Sequence, residues 1–362
     1  MSTAGPPKGA NAPLGGSEPR AAGKRGGQVL AAPRTRVQRR PVHGVLLLDK
    51  PLGLSSNQAL QKAKWLLRAE KAGHTGTLDP LASGVLPLCF GAATKLSQLQ
   101  LEDDKTYETI VRLGVNTSTA DAEGDVVQQR PVRCTAGQVV QVLDDFTGPI
   151  AQVPPMHSAL KKDGKALYEY ARDGETVERT PRQVVIHDLE LLDMQLDGEA
   201  PQLHLRVRCS KGTYIRTLGE DIGNALGCGG HLTMLRRVET GGLHVRDAIT
   251  LEQLEALDET ARLQALQPVQ SLLHAYPRIT LAAEEAGRFL SGLRRRGTWL
   301  DAEHVAVFGD QPHALLGTAH VKAGELIANR LLTPLEIAQT LEQNQCKALQ
   351  TPCTSSQQGK GI

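Results

Sequence analysis

GHTGTLDPLASGVLPLCFG, residues 73–91, is the stretch on which the reading of this chain turns. It holds four glycines, two prolines, one histidine and one aspartate, and it ends in an apolar run. Glycine admits positive φ and close approach of the backbone to a ligand, while a residue that precedes proline is held extended. Asp79, followed by Pro80, is therefore a carboxylate presented on a loop that runs into a short apolar strand. An isolated Asp-Pro would be no more than a turn, and His74 no more than a loop histidine. The length of the ordered string gives both residues their weight.

Extended to Lys95, the string resembles the signature loop of the TruB family of tRNA pseudouridine synthases, bacterial enzymes that modify the T-loop uridine. Further strings carry the same resemblance: Asp49-Lys50-Pro51-x-Gly53-x-Ser55-Ser56, Lys105-Thr106-Tyr107, Ser210-Lys211-Gly212-Thr213-Tyr214-Ile215-Arg216-Thr217-Leu218, and His231 to Arg237. It implies that Asp79 is the catalytic nucleophile and that Arg216 pairs with it and keeps it ionised, a guanidinium being the fork that fits a carboxylate. It implies that Tyr107 packs on the target base and moves a proton at C5, that Tyr214 and Leu235 line the pocket, and that His74 fills the stack the flipped base vacates. Lys50 would support the loop or a phosphate. Read without the family, Lys50 is an end-of-strand charge, Tyr107 a core tyrosine and Arg216 a surface arginine at a helix start. Whether Asp79 attacks C1′ or C6, or takes the C2′ proton, is open at this level.

At 362 residues with 40% hydrophobic content, the chain can build one large core and a smaller one. No apolar run reaches the ~18 residues of a membrane span, and no signal sequence opens the chain. Six scattered cysteines without a C-x-x-C pair point to a reducing compartment, the cytoplasm by default. There is no Walker motif, H-E-x-x-H or zinc set, so neither cofactor nor metal is expected. The net charge of +2 divides into +7 over residues 1–40 and −5 over the rest. RNA contact would therefore use local strips, such as Lys161, Lys162, Lys165 and Arg172, or the cluster Arg294, Arg295 and Arg296. His157 stands where the family pattern carries tyrosine.

The Gly- and Arg-rich residues 1–41 read as a disordered basic arm. A buried strand is expected from Gly44, a helix capped by Ser55 up to about Glu70, and a strand over Lys105 to Gly114. Thr117-x-Thr119-x-Asp121-x-x-Gly124 is taken as a polar turn, since its spacing fails the EF-hand pattern. A helix is expected over Thr135 to Phe146 with Val139, Val140 and Leu143 inward, strands near Gln183 to Met194 and Gln202 to Cys209, and a helix to about Leu226. Thr250 caps a further helix. Short strands at Val305 to Phe308, Ala314 to Gly317 and Thr318 to Val321, with a helix near Glu284 to Leu293, resemble a PUA-like domain.

The expected architecture is α+β: a mixed, mainly antiparallel sheet of the pseudouridine synthase type with flanking helices, then a small β-rich PUA-like domain. Its boundaries are a catalytic domain at 42–250, a connector at 251–274, a PUA-like RNA-binding domain at 275–338 and a polar tail at 339–362, unstructured after about Gln343. The expected activity is isomerisation of the T-loop uridine, position 55, by a monomer that needs no partner beyond the tRNA T stem-loop. The rival reading is a tRNA-binding folding chaperone, separated from the enzyme by replacing Asp79. A glycosidase would display two carboxylates where this chain displays one.

Overall fold

The structure, a computed structural model, describes residues 38–350 apart from Ala159. Most of the basic arm, to residue 37, and residues 351–362 lie outside the described residues. Pairing starts slightly earlier than expected, at Arg40, whose backbone bonds to Arg68 and Glu70 beside the first helix.

Gly44–Lys50 is an extended strand with both faces covered, which is why its sequence runs apolar without alternation. Leu46 and Leu48 enter the main core, while Val45 and Leu47 face a second cluster. Ser55 caps the helix Ser56–Leu66 in a reciprocal capping box with Gln58, and Ala59, Leu60, Ala63 and Leu66 lay its apolar face on the main core. The chain then passes through the short strand Ala72–His74 and the signature loop into Ala82–Phe90, which pairs antiparallel with Gly44–Lys50 along its length.

From edge to edge the central path of the large sheet runs Ile249–Thr250, Gly44–Lys50, Ala82–Phe90, Gly230–Thr240, Lys105–Leu113, Gln202–Cys209, Arg182–Gln195 and Gly148–Gln152. Two of these pairings are parallel, Ile249–Thr250 on Gly44–Lys50 and Gly230–Thr240 on Ala82–Phe90, and the others are antiparallel. Leu203, Leu205 and Val207 alternate inward with His204, Arg206 and Arg208 outward, the half-buried pattern of period two. The helix Ile215–Ala225 lies against this main core through Ile215, Leu218 and Ile222.

In the helix Ala136–Asp145, Val139 and Leu143 are buried but Val140 is exposed. Val139 and Leu143, one turn apart, define the inward stripe, and Val140 is rotated about 100° off it. Thr250 does cap Leu251–Ala256.

A second sheet of five strands runs Arg278–Leu281, Ala302–Asp310, His313–Lys322, Glu325–Leu331 and Arg295–Arg296. The two strands expected over 314–321 are one, because Gly317 continues the ladder rather than ending it. A Cβ at Gly317 would lie 2.0 Å from the Arg330 carbonyl oxygen, so glycine here allows close strand approach. Ala306, Phe308, Leu315 and Leu332 meet Val45, Leu47 and Cys89 in one cluster, which joins the two sheets.

The tail expected to be unstructured after about Gln343 is instead helical to the end of the described chain, as part of Pro334–Gln350. Thr333 and Glu336 cap it reciprocally, and Lys95 bonds both Glu336 and the Leu331 carbonyl. Polar residues dock it: Gln343 accepts from the His43 backbone N–H at 2.9 Å, Gln339 meets the His43 ring at 3.0 Å, and Lys347 donates to the Leu266 carbonyl at 2.7 Å. A polar composition therefore hid a helix anchored by these hydrogen bonds together with Ile337, which packs against two hydrophobic clusters. No helix among the described residues is long and apolar enough to cross a membrane.

Candidate active site

Asp79 is held by its neighbours more than by its own side chain. The Ser56 hydroxyl, 1% exposed, accepts from the Leu78 N–H at 2.7 Å and donates to the Leu78 carbonyl at 3.0 Å. Gly53 donates to the Pro80 carbonyl and Ala82 to that of Asp79, each close to 3 Å. The loop is thereby pinned on both sides of the aspartate, whose side chain stays 40% exposed.

Arg216, in the first turn of Ile215–Ala225, lies beneath it with 5% of its side chain exposed. Its Nη2 is 3.0 Å from Asp79 Oδ2 and donates to the His157 carbonyl at 2.7 Å, while Nη1 donates to the Thr119 carbonyl at 3.1 Å. Asp121 Oδ2 stands 3.7 Å from the same Nη1 and is as buried as the guanidinium. Asp121 in turn accepts from the Thr119 hydroxyl and the Glu123 N–H. A guanidinium with so many fixed acceptors has little rotamer freedom left, so it meets Asp79 in one geometry.

Lys50 ends the first strand fully buried and donates to the carbonyls of Pro51 at 2.9 Å and Leu54 at 2.6 Å. Burial pulls its amine down to about 8, with the Asp79 charge opposing that shift. Tyr107, on Lys105–Leu113, has its phenol pushed up by burial and drawn back by the Arg237 charge. Tyr214 precedes the Arg216 helix, and the Gln152 amide grips its backbone, accepting from its N–H at 2.7 Å and donating to its carbonyl at 3.1 Å. Burial raises the Tyr214 phenol too, with the Arg182 and Arg216 charges among the opposing influences.

The Asp79 charge reaches Lys50, Tyr107 and Tyr214, so these residues and Arg216 gather around one carboxylate. His74 sits on Ala72–His74 with its Nδ1 buried and without a partner among the described residues. Burial, then the Arg237 charge, lowers its pKa, which favours a neutral ring. Leu235 is 7% exposed within the main core, registered with Ala82 and Thr109.

Asp121, Ser56 and Gln152 escaped the reading of the sequence. Nothing local distinguishes Asp121 from a turn residue, because its partner is 95 positions away in the chain. The basic strips are partly engaged within the protein. Lys165 pairs with Asp173 over the Tyr170 ring, Lys162 donates to the Glu178 carbonyl, and Arg172 lies over Tyr168. Arg294 and Arg296 share Glu325, and Arg295 bonds Glu285. No cluster of three or more potential metal-ligating His, Cys, Asp or Glu residues occurs among the described residues.

A large mixed sheet with one carboxylate clamped over a buried guanidinium at its rim, followed by a smaller β sheet, has the architecture of the pseudouridine synthase class. A chain in the crystal structure of a Cbf5-Nop10-Gar1 complex matches it at a TM-score of 0.61 and 26% identity, over 82% of this chain and 86% of that one. A chain in the structure of an H/ACA RNP bound to a substrate RNA containing 2'-deoxyuridine shares the fold at a TM-score of 0.60 and 24% identity, over 81% and 86% of the two chains.

Within that class the chain belongs to the TruB family. The model for the TruB family pseudouridylate synthase N-terminal domain matches residues 64–215, and that for the tRNA pseudouridylate synthase B C-terminal domain matches residues 216–274. It is 64% identical to the tRNA pseudouridine synthase B of Verminephrobacter eiseniae, over 86% of this chain and 95% of that one. The protein of the same name from Ralstonia nicotianae is 58% identical over 81% and 95% of the two chains.

Proposed function

We propose that this protein isomerises uridine to pseudouridine at position 55, in the T loop of tRNA, with Asp79 as the catalytic carboxylate. The ion pair of half-exposed Asp79 with buried Arg216 carries the reading. Membership of the TruB family and the names of its relatives support the substrate class.

The reaction breaks the N1–C1′ bond, turns the uracil and rejoins it through C5, whose proton leaves while the freed N1 takes one up. It consumes no redox equivalent and no group donor. The target base is stacked inside a folded loop, so flipping it out costs a few kcal/mol. His74 takes its place in the stack as a neutral, flat ring. Tyr107 packs on the flipped base and carries the C5 proton, while Tyr214 and Leu235 close the pocket. Arg216 pairs its charge with Asp79 throughout, and Lys50 braces the turn that follows its strand. Residues 42–250 form the catalytic domain, and the second sheet, within 275–338, acts as a PUA-like RNA-binding domain on a monomeric, cytoplasmic protein.

The test is to incubate purified protein with unmodified tRNA transcripts and map pseudouridine by carbodiimide adducts and primer extension. A single stop at the T-loop uridine is the expected result. No stop, or stops spread over several loops, contradicts the proposal.

A further inference from the structure

Arg237 is among the largest fully buried side chains in the protein, 1% exposed, and it plays no part in the chemistry described so far. Its partners are all neutral oxygens. Nε donates to the Val85 carbonyl at 2.8 Å, Nη2 donates to the Gly76 carbonyl at 3.1 Å, and Tyr107 is its register partner on the next strand, close enough for the guanidinium charge to act on the phenol. A buried cation on neutral acceptors is a poor source of stability, since desolvation outweighs what such bonds return. Its neighbours say what else it does.

Strand register puts Lys50, Gly84, Arg237 and Tyr107 opposite one another in a single row across four strands. Gly84 leaves the space that admits Arg237: its φ is +106°, and a Cβ there would lie 2.1 Å from the Arg237 carbonyl oxygen. A bulge between Arg237 and Glu239 follows at once, the device that re-aims a side chain in a sheet. Arginine has donors only, so it is the oxygen of the neighbouring Tyr107 phenol that the guanidinium favours. Gly76 lies three residues before Asp79, and Val85 lies on the strand after it.

We propose that Arg237 is a positioning residue of the isomerisation: it sets the Tyr107 phenol oxygen toward the reacting base, and ties the loop bearing Asp79 to the same strand. This rests on the function proposed above. Without Arg237 the phenol loses both its orientation and the charge that opposes burial, while Cys209 and Asp79, which also face it, push its proton affinity upward.

The experiment uses Arg237→Gln and Arg237→Lys, each alone and combined with Tyr107→Phe. Single-turnover rates on unmodified tRNA are followed from pH 6 to pH 9, with tRNA affinity by filter binding and Tyr107 titration by carbon-13 NMR of labelled tyrosine. Each Arg237 variant should bind tRNA within about threefold of wild type and lose about 100-fold in rate, the scale of a lost acid–base group. In the Tyr107→Phe background the further loss should be under about threefold, because both changes remove one function. The Tyr107 resonance should titrate at higher pH in Arg237→Gln. Wild-type rates in either variant, or the same loss with and without Tyr107, overturn the proposal and leave Arg237 a residue of the fold alone. If Arg237→Gln does not fold, Arg237→Lys, which keeps the cation and loses the planar fork, decides by the same cycle. Should wild type make no pseudouridine at all, the proposed function fails instead, and the tyrosine titration, which needs no turnover, still decides the coupling of Arg237 to Tyr107.

Discussion

Replacing Ser56 with alanine should cost this protein both stability and rate, and the amount follows from two hydrogen bonds. The hydroxyl is buried and serves Leu78 twice, accepting from its N–H at 2.7 Å and donating to its carbonyl at 3.0 Å. Alanine leaves both backbone groups unpaired in a site closed to solvent, at about 1–3 kcal/mol each, and partial relaxation brings the total to about 2–4 kcal/mol. The cavity left by one hydroxyl adds little to this. The thermal midpoint should fall by about 3–6 °C. Leu78 precedes Asp79, so the loop that aims the carboxylate loosens as well, and a displacement near 1 Å costs up to about 100-fold in rate. Calorimetry and single-turnover pseudouridine formation on the same preparation test the two effects together. A Ser56→Ala protein with an unchanged midpoint and rate would refute the reasoning that Ser56 fixes the aspartate.

The Lys50 amine should titrate near pH 8, and removing the opposing Asp79 charge in Asp79→Asn should move that midpoint lower still; nitrogen-15 NMR of the labelled amine reads both. Because the folded state holds this proton less tightly than the unfolded chain does, the stability withheld below pH 8 returns as pH rises toward the ordinary lysine value of 10.5. Asp221 carries the opposite sign. Burial, then Glu220, raises it to about 6, so its contribution to stability is complete below the ordinary carboxylate range and is lost as pH rises through 6. Asp221→Asn should therefore add about 1–2 kcal/mol at pH 8 and almost nothing at pH 4, as urea denaturation at the two pH values would register. Gly84→Ala should lower the thermal midpoint by several degrees or yield insoluble protein, because the side chain meets the Arg237 carbonyl and the backbone is at positive φ; a midpoint equal to wild type would contradict the close packing of these two strands.

Local signals carried much of this fold in plain view. The capping boxes at Ser55 and Thr250, the alternation of Gln202–Cys209 and the doubly buried run at Gly44–Lys50 follow from periodicity and side-chain chemistry within one element. What stayed hidden depends on pairs far apart in the chain. Asp121 read as a turn because its guanidinium lies on a helix 95 residues later, and Arg237, the last residue of the His231 to Arg237 string, received no role because only sheet register sets it opposite Tyr107. Gly317 looked like a strand end and is a point of close strand approach. The helix Pro334–Gln350 has a weak apolar stripe and is docked by Gln339, Gln343 and Lys347, so no pattern of hydrophobic residues announced it. Resemblance to the family supplied roles for Asp79, Tyr107 and Arg216 that spacing alone could not assign.

The most direct test of the account measures pseudouridine at the T-loop uridine after one turnover with Asp79→Asn, alongside the affinity of that variant for unmodified tRNA. Asparagine keeps the shape of the side chain and its place above Arg216 while removing its charge and nucleophilicity. The account predicts tRNA binding within about threefold of wild type and no detectable product over a time in which wild type converts all of it. Product formed at the wild-type rate would contradict it, for then the carboxylate at the centre of this site does not perform the reaction.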